Sequence, residues 1–333
     1  MTGHDGVMAV AVSGGGDSLA LMHLLRAFAQ ARGIEPPVVL TVDHALRKSS
    51  AKDAQQVAAW AKQAGLKSQV LTWSGPKPKS GIEAAAREAR YRLMGGWLTR
   101  HKIVTLAVGH TQDDQAETFL LRLARGSGLD GLAAMRPRAP WPVPGFAGLG
   151  VARPLLGFRR DDLRAYLKSL KQPWLDDPMN QDPAFDRVKI RKSMAALTKA
   201  GLTAERIAAA ASHLARARES LEIVTEAVLA RGVRPGPGGV LLDASVLAAA
   251  PREVGLRALA AVLMAVSGQA YRPRFESLER LFDQIGAGTL GRGATLHGCH
   301  IRPAGALGKD FGAVALFLSL ESPRKTGSSP RGA

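Results

Sequence analysis

Ser13, Gly14, Gly15, Gly16, Asp17 and Ser18 follow directly on the apolar run Val7–Val12. A continuous apolar run that ends in a glycine turn reads as a buried strand, and the apolar periodicity of Leu19, Leu21, Met22, Leu24 and Leu25 behind it reads as a helix. Three glycines let the backbone bend sharply and bring its N–H groups close to an anion. The helix start adds unsatisfied N–H donors and a partial positive charge, which suit phosphate or pyrophosphate. This is not a Walker loop, because Asp17 stands where a lysine belongs, and it is not G-x-G-x-x-G, because Leu19 replaces the last glycine. An ordinary glycine-rich strand-to-helix turn is the alternative reading.

A second group of reactive side chains runs through Gly109, His110, Thr111, Asp113, Asp114 and Glu117. With a helix starting near Thr111, His110, Asp113, Asp114 and Glu117 share one face. Such a face could hold Mg2+ or grip an ammonium group. Helix capping by Thr111, with acids complementing the dipole, explains the same residues, and position after a strand favours function. Ser80 and Glu83 match a capping box ahead of Arg87, Arg90, Tyr91 and Arg92. There Arg87 either pairs with Glu83 or, with its neighbours, binds phosphate. Asp43 and His44 end another strand, where an acid often meets a nucleoside, although a lone histidine is more often structural. Asp176, Asp177, Asn180, Asp182 and Asp186 abut Arg187, Lys189, Arg191 and Lys192, a solvated charge run or a pocket beside an RNA backbone.

These groups need a scaffold that gathers them. Strand patterns at Val7–Val12, Val38–Val42, Gln69–Trp73 and Ile103–Val108 alternate with helical patterns near 18–31, 50–64, 82–100 and 112–125. The alternation predicts an α/β, doubly wound, mainly parallel sheet with its ligands at the carboxyl ends of the strands. Residues 136–150 read as a surface excursion or hairpin, 159–170 and 187–230 as helical, and Gly232–Gly239 as a Gly/Pro linker or turn. A smaller α+β module follows over 240–318, with helices near 251–266 and 273–285 and strands near 294–302 and 312–318. The end of the chain from Ser322 reads as disordered.

In 333 residues the net charge is +17, which predicts attraction to a polyanion, nucleic acid first. The single cysteine, Cys299, excludes an internal disulfide, a Cys-based zinc site and an iron–sulfur cluster. No secretory signal and no membrane span is read, so a cytoplasmic protein is expected.

The loop Ser13–Ser18 resembles the PP-loop of ATP pyrophosphatases. Taken in order, Ser13–Leu21, Val42–Arg47, Glu83–Tyr91, Gly109–Met135, Arg153–Leu167 and Trp174–Arg191 resemble the bacterial tRNA(Ile)-lysidine synthetases. The resemblance implies a PP-loop catalytic domain over 1–190, a helical connecting segment over 191–232, an accessory tRNA-binding domain over 233–320 and a tail over 321–333. It implies that ATP and Mg2+ activate C2 of cytidine 34 in the CAU anticodon of tRNA(Ile), and that free L-lysine attacks the adenylate to form lysidine. Ser13, Gly14, Gly15, Gly16, Asp17 and Ser18 would then cradle the nucleotide together with Asp43, His44, Gly109 and His110. Asp17 and Asp114 would hold Mg2+, and Asp113 and Glu117 the lysine ammonium. Arg87 and Arg122 would hold phosphate or the activated base, and Arg187 and Arg191 would contact tRNA or the adenylate. A homodimer is left open.

Two positions depart from the family pattern, Val188 after Arg187 and Met179 in the preceding turn. The rivals are another PP-loop tRNA-modifying enzyme, such as a thiolase, and a non-catalytic RNA-binding relative. A thiolase generally needs cysteines for persulfide or cluster chemistry, and Cys299 lies far from the loop. An amidotransferase would need a glutamine-hydrolysing module that this sequence lacks.

Overall fold

The computed structural model describes residues 8–47, 49–78, 80–176, 186–269, 271–312 and 314–321. The tail from Ser322 and the turn residues Asp177, Met179, Asn180 and Asp182 lie outside these. The chain forms two compact units, Met1–Ala215 and Arg216–Ala333.

The first unit begins β1 (Ala9–Ala11), α1 (Gly16–Arg32), β2 (Val38–Asp43), α2 (Ser50–Gln63), β3 (Ser68–Thr72), α3 (Ile82–Arg100), β4 (Thr105–Ala107) and α4 (Gln112–Ala124). It continues through α5 (Leu129–Leu132), β5 (Arg138–Pro140), β6 (Gly150–Ala152), α6 (Arg160–Ser169), α7 (Asp186–Lys199) and the start of α8 (Ala204–Gly232). The sheet order is β3-β2-β1-β4-β6-β5, parallel throughout except for the final pair. Alternation along β1 sends Val10 to a core with Leu19, Leu21, Val57, Leu163 and Leu167, and Ala9 to a core with Tyr91, Met94, Leu98 and Trp141. Helices α1, α2 and α6 thus cover one face and α3 the other.

The segment 136–150, expected as a surface excursion or hairpin, leads through a hairpin to a return strand, β6, that pairs parallel with β4 and extends the central sheet. Each of its strands is three residues long, too short to show periodicity, and Trp141 anchors it by packing edge-on against Tyr91 at 5.4 Å. The expected Ser80–Glu83 capping box does not form. Gly81 is the cap of α3, in the left-handed conformation and without a side-chain cap bond. Among the described residues Glu83 makes no ion pair with Arg87, which lies over the Tyr91 ring at 5.1 Å.

In the second unit the expected linker Gly232–Gly239 is a β-hairpin of β7 (Val233–Gly236) and β8 (Gly239–Asp243). Proline is tolerated there because β7 is an edge strand. Helices α9 (Ala244–Ala248), α10 (Arg252–Ser267) and α11 (Phe275–Gly286) follow, then strands β9 (Ala294–Leu296), β10 (Cys299–Pro303) and β11 (Ala315–Leu320). The antiparallel sheet, ordered β7-β8-β11-β10-β9, buries Leu242, Ile301 and Leu318 with Leu259, Leu263 and Leu281 from the helices. Cys299 is buried there, with its thiol donating to the Leu263 carbonyl at 3.3 Å. Among the described residues no helix is long and apolar enough to cross a membrane.

Candidate active site

The strand order reverses at β1, whose neighbours are β2 and β4. Loops leaving the carboxyl ends of two such strands diverge and open a crevice between them. Here those loops are Ser13–Gly15 and Gly109–Thr111. Gly109 is fixed by contact: a Cβ there would lie 3.0 Å from Asp17 O and from Ser18 N and Cα, all backbone atoms at the start of α1. We expect Gly109→Ala to force the two loops apart, costing about 1–3 kcal/mol by the usual range for overpacking. Urea unfolding of the variant measures this directly.

Gly14 has φ +90°, and a Cβ there would also meet Leu175, whose N–H donates to the Gly14 carbonyl at 2.9 Å. Among the described residues no side chain caps α1 at Gly15, so the first N–H groups of the helix are left for an anion. Ser18 braces the loop from inside. Its hydroxyl donates to Gly15 O at 2.9 Å and lies 3.3 Å from the Ser13 hydroxyl.

Beside this cradle three carboxylates converge on one guanidinium. Arg160 donates from Nε to Asp17 at 3.1 Å, from Nη2 to Asp114 at 3.0 Å and from Nη1 to Glu117 at 3.4 Å. The capping reading of the α4 acids holds at Asp114, which also faces the cluster. Its Oδ2 accepts from the Thr111 N–H at 2.8 Å and completes a capping box, while Oδ1 faces Arg160. Glu117 is buried and also takes a bidentate fork from Arg191, at 2.8 and 3.1 Å. Asp113 lines the cavity beside Glu117 and has a structural partner as well. One of its oxygens accepts the backbone N–H of Arg160 at 2.8 Å and so caps α6 from another helix.

Burial opposes the charge on Arg160, but Asp114, Asp17 and Glu117 together outweigh it and hold its pKa above the usual value. Burial raises the Asp17 carboxyl; it shares Arg160 with two other acids, and Asp114 repels it further. A cavity of about 350 Å³ adjoins the cluster, lined by Glu117, Arg160, Arg191, Met194, Thr198 and Glu205.

Next to Asp114, several arginines surround His110. His110 accepts from Arg153 Nε at 3.2 Å through Nδ1, which suits a neutral ring. Burial lowers its pKa to about 4; Asp114 works the other way, and Arg153, Arg187 and Arg87 add to the fall. His44 is likewise lowered to about 4, by burial and then by Arg90. Arg90 is itself pulled below its usual range by burial and by Arg87 and Arg187. Unfolded histidine titrates near 6.5, so at lower pH the unfolded chain binds more protons than the folded one. The histidine contribution to stability is therefore complete above about pH 6.5 and is lost as pH falls towards 4. We expect the melting temperature to drop across that window, and His110→Gln to flatten part of the drop.

The structure therefore joins Asp17, Asp114, Glu117 and Arg191 in one cluster and sets His110, Arg87 and Arg187 beside it. It engages two expected residues elsewhere. Asp43 accepts from the Ala45 N–H at 2.8 Å and the Ser50 hydroxyl at 2.6 Å, which shapes the turn that presents His44. Arg122 donates to the Gly131 and Ala134 carbonyls at 2.7 and 3.3 Å, which holds the end of α5. Sequence reasoning missed Arg160 and Arg153. One signal was present for the first: an arginine opening a helix opposes the dipole, so it calls for another reason to be there.

A glycine loop at a helix start and acids in the first turns of the helix after the neighbouring strand, meeting at the switch point of a mainly parallel sheet, define a PP-loop protein. In agreement, the family model described as the PP-loop domain matches residues 3–197. The chain belongs to the tRNA(Ile)-lysidine synthase family. It is 40% identical to the tRNA(Ile)-lysidine synthase of Methylobacterium nodulans over 98% of this chain and 93% of that one. With the protein of that name from Bradyrhizobium sp. it shares 39% identity over 96% of this chain and 91% of the relative. The Ruegeria pomeroyi protein of that name is 42% identical over 80% of this chain, which spans 62% of the length of that relative.

Proposed function

We propose that this chain converts cytidine 34 of a CAU-anticodon tRNA(Ile) to lysidine. ATP adenylates O2 of the cytosine and releases pyrophosphate; the ε-amine of free lysine then forms a bond to C2, and AMP leaves. The observation that carries the reading is the junction, at one switch point, of an anion cradle with a cluster of carboxylates. N–H groups of Gly14–Asp17 would bind pyrophosphate oxygens as they become the leaving group.

Among the described residues no group of three or more His, Cys, Asp and Glu is arranged to hold a metal. Mg2+ is commonly bound by one or two carboxylates together with substrate phosphates. Asp17 and Asp114, both within 3.1 Å of the same guanidinium, are hard oxygen donors that fit such an ion. Mg2+ bound there would neutralise charge developing on the phosphates.

The cavity beside Glu117 and Arg191 would admit lysine, and a carboxylate of the cluster would take the proton that its ammonium must lose before attack. Arg87, Arg90 and Arg187, on the basic side of His110, would meet the tRNA backbone or the adenylate phosphate. The net charge of +17 suits such a partner.

The test is incorporation of labelled lysine into a CAU-anticodon tRNA(Ile) transcript with ATP and Mg2+, using tRNA(Met) with the same anticodon as control. Incorporation into tRNA(Ile) alone, with AMP released, is expected. AMP formed only with a different nucleophile would keep the ATP chemistry and discard lysidine. A second rival, non-catalytic RNA binding, predicts no AMP at all.

A further inference from the structure

Arg160 is set where its charge does not help its own helix. It is the first residue of α6, yet its side chain is only 16% exposed and reaches Asp17 on α1 and Asp114 and Glu117 on α4. Each acid receives one donor from Arg160, so with none of them does Arg160 form the two-point fork that makes an arginine–carboxylate pair strong. Two of the acids have another holder, Thr111 for Asp114 and Arg191 for Glu117. Asp17 has no second hydrogen-bond partner among the described residues.

The electrostatics of the contact point the same way. A divalent cation held by Asp17 and Asp114 would sit against a guanidinium that lies 3.0–3.1 Å from oxygens of both acids. Two cations at such a separation repel strongly where water is scarce, and the repulsion is relieved when the guanidinium leaves.

The surroundings allow the replacement. Asp113 holds the backbone N–H of Arg160, so the helix start stays fixed while the side chain turns. The cavity of about 350 Å³ is lined by Arg160 itself and gives the guanidinium somewhere to go.

We propose that Arg160 is an exchangeable counter-cation, which draws Asp17, Asp114 and Glu117 together and yields its place to the divalent ion that accompanies the nucleotide. The proposal rests on the reading of this crevice as the ATP site. It makes Arg160 a positioning residue. The carboxylates are kept close without the metal, and the metal binds well only once it has an added reason to displace the arginine, namely the phosphates it carries.

The test uses Mg2+ alone, without nucleotide, at constant ionic strength, and reads the melting temperature of the full chain. The wild-type protein should barely respond. Arg160→Gln should start less stable and rise by roughly 3–6 °C when Mg2+ is about tenfold above its Kd. Arg160→Lys should show a smaller rise, and it carries the test if the glutamine variant does not fold. Adding Asp17→Asn to either variant should abolish the rise. Variants that respond no more than wild type, or a rise that survives Asp17→Asn, would overturn the exchange. Pyrophosphate release from ATP by the wild-type enzyme with tRNA tests the underlying reading separately; its absence would count against the ATP site, whatever the melting curves show.

Discussion

Asp17→Asn should lower tRNA-dependent pyrophosphate release from ATP by about 10²–10³-fold or more while leaving the protein folded. The two halves of this expectation have different causes. Asparagine keeps the shape of the side chain and can still accept from Arg160 Nε, now 3.1 Å from the carboxylate. It loses a negative charge in the first turn of α1, a favourable dipole interaction of about 0.3–1 kcal/mol, and it also escapes the burial that disfavours that charge. These stability terms oppose each other, so the melting temperature should change little. Catalysis has no such offset. An amide carries no charge with which to hold a cation against the phosphates, and Arg160 is left to the two remaining acids. A pyrophosphate-release assay and a melting curve on one preparation separate the two effects. Undiminished pyrophosphate release would remove Asp17, and with it the assignment of the loop, from the chemistry.

Much of the scaffold was legible because its signals are local. The strands before Ser13, Asp43 and Gly109 are apolar runs, the helices behind them keep a periodic apolar face, and the glycines fall between. From these alone the carboxyl-end crevice follows. What was hidden depends on pairing across long stretches of chain. Strand β6 is three residues, Gly150–Ala152, and it becomes a strand only because β4 lies beside it. Arg160 reaches acids 143, 46 and 43 residues away, and no sequence window contains that contact. Asp113 was legible as an acid on the right helix but not as the cap of a different helix, because its partner is a backbone N–H that the sequence does not distinguish from any other. Ser80 failed for a local reason. Gly81 takes the cap position with φ +65°, which glycine adopts without the steric cost other residues incur.

Glu117→Gln should cost about 10²-fold in kcat/KM for lysine and leave the KM for ATP within a few-fold. Glu117 is the most buried acid of the cluster, with its side chain 4% exposed, and it faces two guanidinium groups. Glutamine preserves its volume and one acceptor, but its NH2 group must then point at the fork of Arg191 or at Arg160, where two donors meet and neither is satisfied. That conflict should lower folding stability by about 1–3 kcal/mol, the usual range for a buried polar group left without its partner. The kinetic effect has a separate origin. Glu117 lines the cavity with Arg191, Met194 and Glu205, and no residue of Ser13–Ser18 lines it, so its charge would bear on the group that enters through the cavity. An ammonium ion is attracted there by a carboxylate and not by an amide, whereas in the proposed reading ATP would be held by the N–H groups of Gly14–Asp17. Stability and selectivity can therefore fail independently. A lowered melting temperature with an unchanged lysine requirement would make the Glu117–Arg191 fork a brace between α4 and α7 and nothing more. A raised lysine requirement with normal ATP use would place the amino acid against α4.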